Sequence, residues 1–316
     1  MIDYRKQLND EQYRVVTEAD GPCLVLAGAG SGKTRTLVFR VAYLIEMGIK
    51  PENILLMTFT NKAAREMLER VEKYLGFKPK DLWGGTFHHI GNLTLRKYAD
   101  KLGYNRNFNI LDQADSISLV KSAMAELGLN AKGQNFPKVS AVQAMISYTR
   151  NTNGDLRETV EDYYSYPDFI AQKMEEIAFI YEKKKKAANV MDFDDILLNW
   201  LRLLEQFPDV RERLAKQFQY ILVDEYQDTN YIQAEIIRHL SSFHNNVLVV
   251  GDDSQSIYSF RAADVKNILN FPKLFSNTKI FKIETNYRST PQILTLANNI
   301  IENNLDQFRK ELKELS

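Results

Sequence analysis

Residues 24–34 read Leu-Val-Leu-Ala-Gly-Ala-Gly-Ser-Gly-Lys-Thr. Leu24, Val25 and Leu26 form a short apolar run. Beyond Thr34, residues Leu37, Val38, Val41, Leu44 and Ile45 recur at helical spacing. The glycine-rich segment therefore lies between a buried strand and an amphipathic helix, the setting of a phosphate-binding loop. Glycines let the backbone turn its N–H groups inward, and the helix N-terminus adds partial positive charge, so the segment is an anion cradle. Lys33 supplies a point charge for the β- and γ-phosphates, and the Thr34 hydroxyl is placed for Mg²⁺. The strict pattern has glycine at the first position, where this chain has Ala27.

The rest of the chain extends that unit. A second apolar run, 54–57, ends at Thr58-Phe59-Thr60 and is followed by a helical stretch from 63 to 75. The order strand, helix, strand, helix predicts a parallel sheet covered by helices, with ligands beyond the carboxyl ends of the strands. Phe59 at such an end is either core or an exposed stacking platform. Gly84-Gly85-Thr86-Phe87-His88-His89 reads as a glycine-led segment entering a helix. Adjacent histidines diverge on a helix, so a polar or nucleic-acid contact is favoured over a shared metal. Residues 220–223 form another buried strand, ending in Asp224 and Glu225. Facing a phosphate loop, one carboxylate holds Mg²⁺ and the next polarises the attacking water. A further strand, 246–250, leads to Gln255, placed to sense a γ-phosphate. Tyr258, Phe260 and Arg261 then combine aromatics with a cation, which suits stacking on unpaired bases.

From 111 to 188 the character changes. Glycine is sparse and helical periodicity dominates, as at Ile170, Met174, Ile177 and Tyr181. This segment reads as an all-helical insertion. The four lysines at 183–186 read as a solvated helix end favoured by the dipole, with a phosphate-backbone contact as the alternative. The acids Asp192, Asp194 and Asp195 are explained by the start of the next helix. Local pattern places Gln12 on a solvated helix that starts near Asn9.

Composition frames these motifs. The chain has 316 residues, 44% hydrophobic and 26% charged, as a soluble globular protein of two or more domains has. Lys+Arg and Asp+Glu both number 41, so any nucleic-acid contact must come from local patches. The single cysteine, Cys23, is a small core residue, which excludes a disulfide framework. No apolar signal region and no run of 18 apolar residues occurs, and a cytoplasmic enzyme away from membranes is expected.

Taken together, these segments resemble the superfamily 1 DNA helicases of the UvrD/Rep/PcrA type. LNDEQ, AGAGSGKT, TFTNKAAREM, GTFHHI, DFDD, ILVDEYQDTN, VVGDDSQSIYSFRAA and ETNYRS match that family's motifs in its order, from the Q motif to motif IV. The family commonly has alanine at the Ala27 position. The resemblance implies an α/β fold, a RecA-like parallel sheet flanked by helices with an all-helical inserted subdomain. Its divisions are a first motor domain at 1–110 and 189–277, an insertion at 111–188, and the start of a second motor domain at 278–316.

It also implies roles. Gln12 contacts the adenine edge, Arg35 lies near base or ribose, and Tyr287 stacks near the adenine. Ala27, Gly28, Ala29, Gly30, Ser31, Gly32, Lys33 and Thr34 cradle the phosphates, and Asp224 is the second group on the metal side. Glu225 is the general base, Gln255 the γ-phosphate sensor and Arg288 an arginine finger. Phe59, His88, Tyr258, Phe260 and Arg261 contact single-stranded DNA. The expected activity is ATP-dependent 3′→5′ movement on single strands and at single–double-strand junctions, with Mg²⁺ and with repair or replication proteins as accessory partners. Two departures stand out: Phe260 where the family most often has tryptophan, and His89 where it has serine. Nothing resembles the family's motifs V and VI, so the chain is expected to be a monomeric ATP-binding N-terminal fragment with little turnover of its own. The alternatives are a helicase subunit of an AddA/RecB-type helicase–nuclease, or an ATP-regulated single-strand-binding module without motor action.

Overall fold

The computed structural model describes residues 2–129, 136–258, 262–304 and 307–314. The chain forms two compact units, one of residues 1–90, 208–229 and 233–316, the other of 91–207 and 230–232.

The first unit is built on six strands: β1 Cys23–Ala27, β2 Ile54–Thr58, β3 Trp83–Thr86, β4 Tyr220–Val223, β5 Val247–Gly251 and β6 Lys279–Ile283. They lie in the order β3-β2-β4-β5-β1-β6, and every neighbouring pair is parallel. β1, β2 and β5 are buried along their whole length, which is why they read as unbroken apolar runs rather than alternating ones. The helix Lys33–Glu46 lays Leu37, Val38, Val41 and Leu44 against Val25 and Ala27 of β1, Leu56 of β2 and Val250 of β5. β6 ends the sheet, and its exposed Lys279 and Lys282 blunt that edge.

β3 is the glycine-led segment that enters a helix in the sequence, and its glycines lie in a strand. A Cβ on Gly84 would come within 2.5 Å of Leu68 Cδ2, and one on Gly85 within 2.7 Å of His89 Cδ2. These glycines serve close packing of a strand against its helices, at the expense of local strand propensity.

Arg40 ties the helix Asp10–Glu18 to this core. It is 1% exposed and donates to the carbonyls of Val16 and Ala19, each at 2.8 Å, and to Asp20 Oδ1 at 2.6 Å. The guanidinium thus satisfies the carbonyls that a helix C-terminus leaves unpaired. Arg40→Met should lower stability by about 3 kcal/mol, because buried acceptors lose a charged donor. Urea unfolding followed by circular dichroism checks this through the midpoint.

The second unit is helical. Helices Gln113–Glu126, Val139–Thr152 and Asp168–Ala187 enclose Val120, Met124, Val142, Met145, Ile146, Ile170, Met174 and Ile177. The strands Asn109–Ile110 and Val190–Met191 pair in parallel where the chain enters and leaves these helices. The helix Phe193–Gln206 follows.

The lysine run at 183–186 is not a uniformly solvated helix end. Lys185 is fully buried and reaches Asp192 Oδ2 at 2.8 Å, Asp195 Oδ2 at 2.5 Å and Glu182 Oε1 at 3.0 Å. Arg150 pairs with the same three acids, and the Tyr181 hydroxyl donates to Asp192 Oδ2 at 2.7 Å. Asp192 and Asp195 also form a reciprocal cap on the helix Phe193–Gln206. Burial favours the neutral form of Asp192, but the charges of Lys185 and Arg150 outweigh it and hold the carboxyl at about 2. Burial pushes Lys185 down and Asp195 up. Among the described residues no helix is long and apolar enough to cross a membrane.

Candidate active site

The phosphate loop leaves β1 at its carboxyl end and enters the helix Lys33–Glu46. Gly30 and Gly32 adopt φ of +74° and +86°, which only glycine takes without strain. Ser31 closes the turn, its N–H and hydroxyl both donating to the Gly28 carbonyl, at 3.3 and 2.8 Å. A Cβ on Gly30 would meet Arg288 Cβ at 2.6 Å, and one on Gly28 would have to displace the end of the Leu312 side chain.

Asp224 and Glu225 follow β4, beside β5 and β2 in the sheet. Lys33 Nζ donates to Glu225 Oε2 at 2.9 Å, and the Thr34 hydroxyl donates to Asp224 Oδ2 at 3.1 Å. The predicted phosphate-side and acid-side residues therefore meet in pairs. Glu225 has φ +53° and ψ +44°, a left-handed conformation rare for a side-chain-bearing residue and typical of functional positions. Burial first, then the neighbouring Glu225 charge, pushes the Asp224 carboxyl up to about 6. Asp228 is raised to about 6 by the same two causes.

Gln227 was missed as a functional residue. Its Nε2 donates to Glu225 Oε2 at 2.9 Å, and its Oε1 accepts from the Asp252 N–H at 3.0 Å. Gln255, past β5, donates to Asp252 Oδ2. A chain of hydrogen bonds thus links Gln255 to Glu225 through Asp252 and Gln227. The only signal in the sequence was their place directly after two buried strands.

Gln12 is 2% exposed, so the solvated-helix reading from local pattern does not hold. Asn9 Oδ1 accepts from the Gln12 N–H at 2.8 Å, Gln12 Oε1 accepts from the Asn9 N–H at 3.4 Å, and Gln12 Nε2 donates to the Ser31 carbonyl at 2.9 Å. The capping pair holds the amide against the loop. Arg35 donates to the Gln7 carbonyl at 2.7 Å, with its guanidinium 5.1 Å from the centre of the Phe39 ring.

Tyr287 and Arg288 lie directly on the loop. The Tyr287 N–H donates to the Gly30 carbonyl at 3.0 Å, and its hydroxyl accepts from Asn9 Nδ2 at 2.8 Å. Asn286, which sequence reasoning gave no role, donates to the Ala29 carbonyl at 2.5 Å and caps the Arg288 and Ser289 N–H groups at 2.8 Å each. The segment 307–314 also reaches the site. Lys310 sits 2.7 Å from Asp252 Oδ1 and 2.6 Å from Asp253 Oδ1.

Phe59, His88 and Tyr258 follow the carboxyl ends of β2, β3 and β5, and each is half-buried. β1, β2, β3 and β5 run parallel, so all three come after the same end of the sheet as the phosphate loop. Phe260 and Arg261 lie outside the described residues.

The match of residues 8–276 to the UvrD/REP helicase N-terminal domain settles the family. The chain belongs to it. The six-stranded parallel sheet is accordingly a RecA-like motor fold. ATP-dependent DNA helicase PcrA of Bacillus subtilis (strain 168) is 42% identical over 306 residues. PcrA of Staphylococcus aureus (strain Mu50) is 40% identical over 306 residues, and that of Staphylococcus epidermidis (strain RP62A) 39% over 308. The alignments cover 96–97% of this chain and 41% of each relative, so the chain spans about two fifths of their length.

The donor set fits a magnesium nucleotide. Mg²⁺ is held by one or two protein oxygens plus phosphate and water rather than by a protein cage. Thr34 and Asp224 are such a pair, and no group of three or more acidic, histidine or cysteine ligands occurs among the described residues.

Proposed function

We propose that this chain is the nucleotide-binding motor portion of an ATP-dependent DNA helicase that moves 3′→5′ on single strands. The supporting observation is the pairing of Lys33 with Glu225 and of Thr34 with Asp224 below the phosphate loop. Lys33 and backbone N–H groups of the phosphate loop neutralise the phosphates. Thr34 and Asp224 would hold an Mg²⁺, which would supply positive charge against the phosphates. Phosphate draws Lys33 away and leaves the Glu225 carboxylate to take a proton from the attacking water. Gln227 fixes the orientation of that carboxylate. Gln255 senses the γ-phosphate and passes its state to Glu225 through Asp252 and Gln227. Tyr287 stacks at the base end, Gln12 and Arg35 select the nucleoside, and Arg288 meets developing charge on the γ-phosphate.

Phe59, His88 and Tyr258, with Phe260 and Arg261, form the single-strand contacts. Direction, accessory repair or replication partners, a monomeric state and a cytoplasmic location rest on the family resemblance and the sequence. So does the division at residues 110, 188 and 277.

Lys33→Ala should weaken binding of a fluorescent ATP analogue about 10- to 100-fold, through loss of a charge-assisted phosphate contact. Unchanged affinity would remove Lys33 from the site. Unwinding of duplexes with a 3′ or a 5′ single-stranded tail tests the direction.

A further inference from the structure

A surface-open cavity of about 640 Å³ lies in the second unit, lined in part by Lys101, Tyr104, Phe179, Lys183, Lys186 and Arg202. Its volume is in the range of ligand sites. Four of those six side chains are cationic, in a chain whose net charge is zero. The one carboxylate in the lining, Glu182, is already engaged by Arg150 and Lys185. Lys183 and Arg202 are exposed and form no ion pair among the described residues. Lys186 donates to the Leu102 carbonyl and sits 3.6 Å from the centre of the Tyr104 ring. Burial first, then the charge of Arg202, disfavours its protonated form, against a smaller opposing pull from Asp195. Lys183, Lys186 and Arg202 thus bring like charges together at one cavity, an arrangement that an anion relieves.

Phe179 adds a second feature. It is 70% exposed and lines the cavity, on the helix Asp168–Ala187 whose Phe169 is also exposed and whose Tyr181 is buried. Cations for phosphates beside an open aromatic face are the two components of single-strand recognition. We propose that this cavity binds the phosphodiester backbone of single-stranded nucleic acid, with Lys183, Lys186 and Arg202 on phosphates and Phe179 stacked on a base. The proposal rests on the nucleic-acid reading above and extends it to residues that none of the family segments contains.

The test is fluorescence anisotropy of a labelled oligo(dT) of 20 nucleotides, titrated with the protein at several salt concentrations. Lys183→Glu/Arg202→Glu should weaken binding about tenfold. It should also flatten the slope of log K against log[salt] by about 1.4, from two phosphate contacts at about 0.7 each. Phe179→Ala should cost about tenfold in affinity with the slope unchanged, as loss of stacking does. Lys121→Glu/Lys138→Glu makes the same charge change at exposed positions outside the cavity and should move neither quantity appreciably. If both double variants behave alike, the cavity is not a strand site, while binding by the wild type still upholds the nucleic-acid reading. If the wild type binds no oligonucleotide, both readings fall. A fluorescent AMP, measured in a Lys33→Ala background, separates a free nucleotide from a strand. Loss of AMP binding in Lys183→Glu/Arg202→Glu with oligonucleotide binding intact would overturn the proposal.

Discussion

Glu225→Gln is expected to slow ATP hydrolysis by the full-length protein by about 10²–10⁴-fold, the usual contribution of a positioned general base. Nucleotide affinity should hardly fall. Glutamine keeps the shape and still accepts the Gln227 Nε2 hydrogen bond, now 2.9 Å to Glu225 Oε2. Removing the carboxylate also releases Lys33 from its 2.9 Å ion pair, which favours phosphate. The expected pattern is therefore a collapse of kcat with the dissociation constant of an ATP analogue unchanged or lower. Parallel losses of binding and turnover would make Glu225 a structural partner of Lys33 instead. Stopped-flow phosphate release together with equilibrium binding separates the two.

The second large effect concerns stability. Lys185→Met should destabilise the helical unit by about 3–5 kcal/mol, the cost of removing one partner from a buried ion cluster. Asp192 and Asp195 would keep their burial and lose the cation that lies within 2.8 Å of both. Lys185→Met/Asp195→Asn should recover part of the loss, because one of the two stranded charges is gone. In the wild type Asp192 sits at about 2, below its unfolded value, so its contribution is present above pH 4 and is lost as pH falls through 2. Without Lys185 the two carboxyls keep Arg150 but lose their nearer cation, so both should titrate higher than in the wild type, and the deficit should grow as pH rises through that range. The gap between variant and wild type should thus narrow from pH 7 to pH 4.5 in urea titrations. A gap that does not change with pH would mean that lost packing, not stranded charge, explains the effect.

The legible parts of the molecule share one property: their chemistry is local. A glycine run between a buried strand and an amphipathic helix announces itself, and so do acids after an unbroken apolar strand. β3 was hidden because Gly84 and Gly85 disfavour a strand locally. Only their contact distances to Leu68 and His89 show why glycine is there. Gln12 reads as a solvated helix residue until the loop 19 residues away supplies the Ser31 carbonyl. Lys185 was concealed inside a lysine run, since periodicity cannot show which of four like residues turns inward to Asp192 and Asp195. The hydrogen-bond chain from Gln255 through Asp252 and Gln227 to Glu225 crosses from β5 to β4 and depends on which strands are neighbours. Strand order is a long-range outcome that short motifs do not encode.

On the proposed function, the Lys33–Glu225 site drives movement on single-stranded DNA. The most direct measurement is the ATP hydrolysis rate of the full-length protein with and without saturating single-stranded DNA, with single-stranded RNA of the same length as the comparison. The expected result is a rate that rises with single-stranded DNA, less with RNA, and not at all in Lys33→Ala. Hydrolysis that proceeds at the same rate with or without single-stranded DNA would contradict the account.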